Sequence, residues 1–155
     1  MGRCGGWRVV EVFVFGFEEA EALERADELG LALQLTNILR DIREDAGLGR
    51  IYLPAEDLER FGLTETSIED RHASREWNAL IAFETERARS LYQSGYKVLD
   101  YIPRRSAVCV QTMARIYEGI LEKIARDPEL PLRERARLTK TEKLRVMIGS
   151  WLRVG

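Results

Sequence analysis

The sequence has 155 residues, the length of one compact domain and enough to bury a hydrophobic core. Its 24 basic side chains are balanced by 26 acidic ones, which argues against a protein that binds nucleic acid through bulk positive charge. Two widely separated cysteines and a single histidine leave little scope for a Cys/His metal site and favour a reduced, intracellular protein.

The first 17 residues form an atypical N-terminal segment, and residues 18–155 form the domain proper. The apolar run at 9–17 is too short for a transmembrane span and is interrupted by Glu11. Its loose alternation permits a strand, but we predict a distorted helix or an irregular segment. We expect a cytoplasmic protein, with peripheral attachment to a membrane as the open alternative.

Residues 18–46 predict a long helix, because its first turns are acidic and Gly47 and Gly49 follow its end. At about 100° per residue, the polar side chains of its second half share one sector of the helix surface beside an apolar stripe. These side chains are Gln34, Asn37, Asp41 and Asp45.

Carboxylates one helical turn apart repel each other unless a cation or a proton lies between them. Mg²⁺ binds through one or two carboxylates and completes its shell with waters and phosphate oxygens, and Asp41 and Asp45 offer such a pair. Glu44 adds negative charge, while Gly49 and Arg50 suit a phosphate group. The stretch therefore indicates a metal–diphosphate site; the alternative is a solvated helix face that ends at a glycine.

Further helices follow in the sequence. Pro54 and Gly62 bound a short helix at 55–61, and Thr66 with Glu69 resembles a capping box for another short turn. The 3.6-residue period predicts long helices at 74–102 and 105–126, with Val110, Met113, Ile116, Tyr117, Ile120 and Ile124 on one face of the second.

Asp127, Pro128 and Pro131 indicate a loop, after which Thr139 and Glu142 form a capping box for a last helix through Trp151. We expect this helix to turn Leu144, Met147, Ile148 and Trp151 inward. Cys109 is expected to fill the core, and His72 to lie in a surface loop.

The run at 34–41 (QLTNILRD), followed by Glu44-Asp45 and by GRIYLP at 49–54, resembles the second aspartate-rich signature of the squalene/phytoene synthase family. A weaker similarity continues through most of the chain, over about 12–152. The resemblance implies an all-α, isoprenoid-synthase-type helical bundle, of which this chain would be an incomplete, C-terminal half.

The resemblance also implies an activity: Mg²⁺-dependent head-to-head condensation of two prenyl diphosphates, farnesyl or geranylgeranyl, with Mn²⁺ as a possible substitute. The product would be presqualene diphosphate and squalene, or prephytoene diphosphate and phytoene, in carotenoid, hopanoid or sterol biosynthesis. NADPH would be needed only if the product is squalene.

By position in the signature, Asn37, Asp41 and Asp45 are expected to bind Mg²⁺, and the two aspartates and Tyr117 to be catalytic. The expected substrate-binding residues are Gln34, Asn37, Arg40, Arg50, Tyr52 and Arg135.

Several alternatives remain open for these residues. Tyr117 and Tyr52 could simply pack, and Arg137 could replace Arg135. The basic stretch at 133–145 is either solvated or a clamp for diphosphate or for anionic lipid headgroups.

The family carries two aspartate-rich helices, and only the second has a counterpart in this sequence. We therefore expect the chain alone to be a poor catalyst or inactive, since carbocation chemistry needs a dry, closed site. The expected partners are an N-terminal-half subunit or a second copy, besides the prenyl diphosphate substrate. The alternative is a non-catalytic helical partner or a truncated remnant of the family.

Overall fold

The computed structural model describes residues 20–69 and 73–154, and every regular element within these ranges is a helix. The predictions for residues 1–17, for the helix start at Glu18 and for His72 lie outside the described residues. The elements are α1 (Ala20–Ala46), α2 (Ala55–Arg60), α3 (Glu65–Glu69), α4 (Arg75–Gly95), a 3₁₀ helix (Tyr96–Tyr101), α5 (Arg104–Arg126), α6 (Leu130–Arg133) and α7 (Lys140–Val154).

Helix α1 lies at the centre of the fold and packs against α4, α5, α6 and the 3₁₀ helix. Its buried face is rich in small residues, which allow other helices to approach closely. At Gly95, a Cβ atom would lie 2.6 Å from the backbone nitrogen of Leu29, so α1 and α4 meet with almost no side chain between them. This close contact fixes the position of α1, and with it the polar column predicted on its surface.

The long helix predicted at 74–102 is correct in its start and its buried face but wrong in its end. Ser74 caps α4 by accepting a hydrogen bond from the Trp77 backbone N–H at 3.1 Å. The α-helix ends at Gly95, and a 3₁₀ helix continues to Tyr101. A tighter last segment is common at helix ends, and Pro103 forces the preceding Ile102 into an extended conformation.

Glycines end α1 and α2 as predicted, each in the left-handed conformation. Gly49 has φ of 68° and Gly62 has φ of 70°. After α1, the Arg50 N–H donates to the Asp45 carbonyl at 2.9 Å and the Gly49 N–H to the Ala46 carbonyl at 3.0 Å, a Schellman motif. The backbone of Arg50 is thereby held against the end of α1.

Two short elements differ from prediction. Helix α3 begins at Glu65, so Thr66 lies inside it and the predicted capping box is wrong. Thr64 is the cap, because its Oγ1 accepts from the Ser67 N–H at 3.3 Å. The loop predicted around Pro131 was wrong in part, because residues Leu130–Arg133 form the single turn of α6. Proline is compatible with this turn because the first turn of a helix does not need its backbone N–H.

The last helix confirms its predicted cap and contradicts its predicted buried face. The Glu142 N–H donates to Oγ1 of Thr139 at 3.3 Å, and the Thr139 N–H donates to the Glu142 carboxylate at 2.7 Å. The predicted inward residues are instead between 52% and 68% exposed: Leu144, Met147, Ile148 and Trp151. Helix α7 packs on α5 with Ser150 buried, so its apolar stripe points away from the described core.

Helix α5 carries two further corrections. Cys109 is exposed and does not fill the core. Met113, expected on the buried face, is 46% exposed, whereas Ile120 and Ile124 are buried as expected. Among the described helices, none combines the length and the apolarity that a membrane crossing requires.

Candidate functional site

The polar column predicted from the sequence lies on one face of α1, beside its buried stripe. Asn37, Asp41 and Asp45 follow each other at intervals of four residues and are all partly buried. Gln34, one turn earlier, is exposed. The amide and the two carboxylates therefore lie along one face of α1 over two helical turns, with Gln34 at the solvent edge.

Asn37 presents an unpaired acceptor. Its Oδ1 atom is buried and has no hydrogen-bond partner among the described residues. A buried polar atom without a partner costs about 1–3 kcal/mol, so it marks a place where a cation or a donor group would be stabilising. Neighbouring Thr36 is satisfied, because its hydroxyl donates to the Ala32 carbonyl at 2.8 Å and meets the Tyr92 hydroxyl at 2.9 Å.

Asp41 is held between two guanidinium groups. Nε and Nη2 of Arg40 donate to its two carboxylate oxygens at 2.8 Å and 2.5 Å. Nε of Arg135, 94 residues away in the sequence, lies 2.8 Å from Oδ1 of Asp41. Nη1 of the same Arg135 lies 3.2 Å from the Glu44 carboxylate. Of the two arginines considered in the basic stretch at 133–145, Arg135 contacts Asp41 and Glu44.

Arg40 connects the column to α5. Its guanidinium lies over the ring of Tyr117, 5.6 Å from the ring centroid. The hydrogen bond to Asp41 raises the pKa of Arg40 well above its usual value, although burial opposes the rise, so the group stays charged. Tyr117 is only partly buried, and its ring serves as a platform for this cation.

Asp45, Arg50 and Tyr52 line a small cleft at the end of α1. Its other walls are apolar and come from Ile38, Ile42, Ile51, Leu53 and Ile68. The cleft has a volume of about 10 Å³, room for roughly one water molecule. This cleft is far too small for a prenyl chain. A second, more open depression of about 400 Å³ is lined by other residues, Arg43, Ala73, Glu129, Leu132 and Arg133.

The donor set fits a hard divalent cation in part. Two carboxylates and an amide oxygen are oxygen ligands of the kind that Mg²⁺ and Mn²⁺ take. Among the described residues, no three His, Cys, Asp or Glu side chains cluster closely enough to hold a metal ion. A cation at Asn37, Asp41 and Asp45 would therefore need additional oxygen ligands, such as those of a phosphate group.

A buried charge cluster close to the signature was not predicted. Glu84 of α4 is fully buried, and Nη1 of Arg87 lies 3.3 Å from its carboxylate and 3.0 Å from that of Asp57 in α2. Burial raises the pKa of Glu84. The sequence carried a signal, since Glu84 falls on the same period as the buried residues Leu80 and Ala88.

Comparison with known proteins identifies the relatives of this chain. The profile of the Squalene/phytoene synthase family matches residues 9–142. Presqualene diphosphate synthase of Rhodopseudomonas palustris is 39% identical over 140 residues, covering 90% of this chain and 50% of the relative. The 15-cis-phytoene synthase of Synechocystis sp. is 38% identical over 130 residues, covering 84% and 39%. The chain spans about half the length of the curated relatives it matches.

Solved structures agree with this assignment. Squalene synthase HpnC from Alicyclobacillus acidocaldarius is 36% identical, with a TM-score of 0.71 over 77% of this chain and 45% of the other. A dehydrosqualene synthase solved with a ligand is 28% identical, with a TM-score of 0.78 over 87% and 48%. The predicted all-α, isoprenoid-synthase-type fold is confirmed, and the chain belongs to the squalene/phytoene synthase family.

Proposed function

We propose that this chain carries one wall of the active site of a prenyltransferase that joins two prenyl diphosphates head to head. The proposal is supported by the family assignment and by relatives named presqualene diphosphate synthase and phytoene synthase. The observation that carries it is the column of Asn37, Asp41 and Asp45 on α1, facing Arg135. Oxygen ligands beside guanidinium groups suit a divalent cation that shares a diphosphate with the protein.

Each residue has a role in this proposal. Asn37, Asp41 and Asp45 bind Mg²⁺, or Mn²⁺, which when bound neutralises the charge of the diphosphate leaving group. Arg135 and Arg50 bind diphosphate oxygens directly. The remaining predicted residues, Gln34, Arg40, Tyr52 and Tyr117, shape the polar rim, and the Tyr117 ring also faces cationic charge.

The substrate class is a pair of farnesyl or geranylgeranyl diphosphates, and the first product is a cyclopropyl-carbinyl diphosphate. NADPH enters only if that product is reduced to squalene; phytoene forms without a reductant. Because the described cleft is too small for a prenyl chain, we propose that residues beyond the described ranges complete the cavity. These residues belong to a further segment, to an N-terminal-half subunit or to a second copy, and without them turnover is slow or absent.

Calorimetry tests whether the column of Asn37, Asp41 and Asp45 binds a cation together with a diphosphate. The full chain is titrated with the non-hydrolysable analogue farnesyl thiodiphosphate, with and without Mg²⁺. We expect Mg²⁺-dependent binding in the wild type and its loss in Asp41→Asn, which keeps the shape of the side chain and removes its charge. Asp100→Asn, which changes an exposed carboxylate on the 3₁₀ helix, is the matched control and should bind normally. Wild-type protein that shows no Mg²⁺-dependent binding would overturn the proposal.

One observation favours a second candidate function, a non-catalytic helical partner. The exposed stripe of Leu144, Met147, Ile148 and Trp151 on α7 is the kind of apolar surface through which helical proteins associate. This candidate predicts no Mg²⁺-dependent ligand binding and an assembly that Trp151→Ser weakens. The same calorimetric titration, combined with measurement of molecular mass in solution, separates the two candidates.

A further inference from the structure

Guanidinium groups already contact both carboxylate oxygens of Asp41. Arg40 contacts both carboxylate oxygens, and Arg135 contacts one of them at 2.8 Å and the other at 3.4 Å. With Glu44 included, two positive and two negative groups balance each other. A divalent cation added to this neutral cluster must displace one guanidinium from Asp41 or be repelled by both.

The two arginines differ in how firmly they are held. Arg40 projects from α1 and stacks on Tyr117, and its side chain is only 13% exposed. The Arg135 side chain is 34% exposed and projects from the irregular stretch between α6 and α7. Arg135 is therefore the group that can leave Asp41 at lower cost.

The backbone around Arg135 is anchored. Ala136 and Leu138, which follow it, are buried, and Arg43 of α1 donates a hydrogen bond to the Arg133 carbonyl just before it. The Arg135 side chain can therefore exchange partners by rotating about its own bonds while its backbone stays in place. The exchange does not require movement of the whole segment.

We propose that Arg135 is a substrate-binding residue that exchanges partners: it contacts Asp41 and Glu44 when the site is empty and transfers to the diphosphate when a metal–diphosphate complex binds. This inference rests on the proposed function. In the empty site Arg135 occupies the Asp41 carboxylate that a free cation would bind. The site therefore has low affinity for the cation alone. Metal and diphosphate then bind with positive coupling, since the diphosphate removes Arg135 from Asp41.

Two titrations of the full chain test the exchange. Binding of free Mn²⁺ is followed by electron paramagnetic resonance, and binding of the preformed 1:1 Mg²⁺–pyrophosphate complex by calorimetry. In Arg135→Gln we expect affinity for free Mn²⁺ to rise about two- to fivefold, the range for loss of one partly exposed ion pair. Affinity for Mg²⁺–pyrophosphate should fall about tenfold or more.

The opposite directions of these two changes are diagnostic, because a damaged site would lose affinity for both ligands. Arg137→Gln is the matched control, since it removes the same charge from an exposed side chain two residues away and should change neither affinity. Arg135→Lys, which keeps the charge without the planar guanidinium, should recover part of the exclusion of free Mn²⁺.

The outcomes separate this inference from the proposed function. If the wild type binds Mg²⁺–pyrophosphate but Arg135→Gln leaves free Mn²⁺ affinity unchanged or weaker, only the exchange is refuted. If Arg137→Gln behaves like Arg135→Gln, the effect is general electrostatics and the exchange is again refuted. If the wild type binds neither ligand, the proposed function fails and the inference fails with it.

Discussion

The contact between α1 and α4 at Gly95 can be tested by adding a single methyl group. In Gly95→Ala, the new Cβ would lie 2.6 Å, 2.7 Å and 2.8 Å from the N, Cα and Cβ atoms of Leu29. Two of these atoms belong to the backbone of a packed helix and cannot rotate away as the end of a side chain could. Either α4 or α1 must therefore move to accommodate the change.

The magnitude follows from two opposing effects. Replacing glycine by alanine inside a helix stabilises it by about 0.5–1 kcal/mol. Overpacking of a well-packed interface costs about 1–3 kcal/mol, and contacts this short with backbone fall toward the upper end. Overpacking should win, and we expect a net loss of about 1–2 kcal/mol, which corresponds to a decrease in Tm of roughly 2–8 °C for a chain of this length.

The assay is urea unfolding followed by circular dichroism, and Gly30→Ala is the matched control. Gly30 also lies in a helix, but a Cβ added there meets nothing within 4 Å. That variant should gain about 0.5–1 kcal/mol from helix propensity alone. If Gly95→Ala were as stable as Gly30→Ala, the close contact between the two helices would be refuted.

Two further predictions concern a buried acid and a helix cap. Burial raises the pKa of Glu84 above 4.5, with Arg87 opposing the rise and Asp57 adding to it. The stability that the bound proton contributes is therefore complete below about pH 4.5 and is lost as the pH rises through the folded pKa. Glutamine carries no titrating proton, so the stability of Glu84→Gln relative to the wild type should increase as the pH rises. Unfolding titrations from about pH 4 to 8 measure this difference. A stability difference that does not vary with pH would contradict this. Thr139→Ala should destabilise the protein by about 0.5–2 kcal/mol, because it removes the cap of α7. Thr66→Ala, which changes an exposed threonine inside α3, should be close to neutral, and equal losses in thermal unfolding would refute the capping assignment.

Local chemistry predicted most of the helices. The spacing of apolar residues identified α1, α4 and α5, and glycines in the left-handed conformation ended α1 and α2 where expected. The change to a 3₁₀ helix after Gly95 was not predicted, because six residues contain too few apolar positions to separate a 3.6-residue period from a 3.0-residue one.

The apolar stripe of α7 shows a different limit of sequence patterns. Spacing predicted correctly that Leu144, Met147, Ile148 and Trp151 share one face, but it could not tell what that face meets. The assumption that an apolar face turns toward its own core was wrong here. Met113 on α5 is corrected for the same reason, whereas Cys109 was expected to be buried because of its residue type alone.

Part of the candidate site could be predicted from local sequence spacing, and part of it could not. Asn37, Asp41 and Asp45 lie on one helix, so their shared face could be read from their spacing. The contact between Asp41 and Arg135 joins residues 94 positions apart, and nothing in local spacing encodes it. The resemblance suggested Arg135 as a diphosphate ligand, but only the structure pairs it with Asp41 and Glu44.

This division has a physical consequence for ligand binding. The oxygen ligands project from α1, which is fixed against α4 beside the column by the Thr36–Tyr92 hydrogen bond and by the close contact at Gly95. In the proposed exchange, the group that moves is the Arg135 guanidinium, which projects from an irregular stretch with an anchored backbone. Under this proposal the entropy and ion-pair cost of binding falls on the Arg135 side chain, while helix packing sets the position of the oxygen column before any ligand binds. Weakening the α1–α4 contact should consequently reduce affinity for metal–diphosphate even though no residue that touches the ligand has changed.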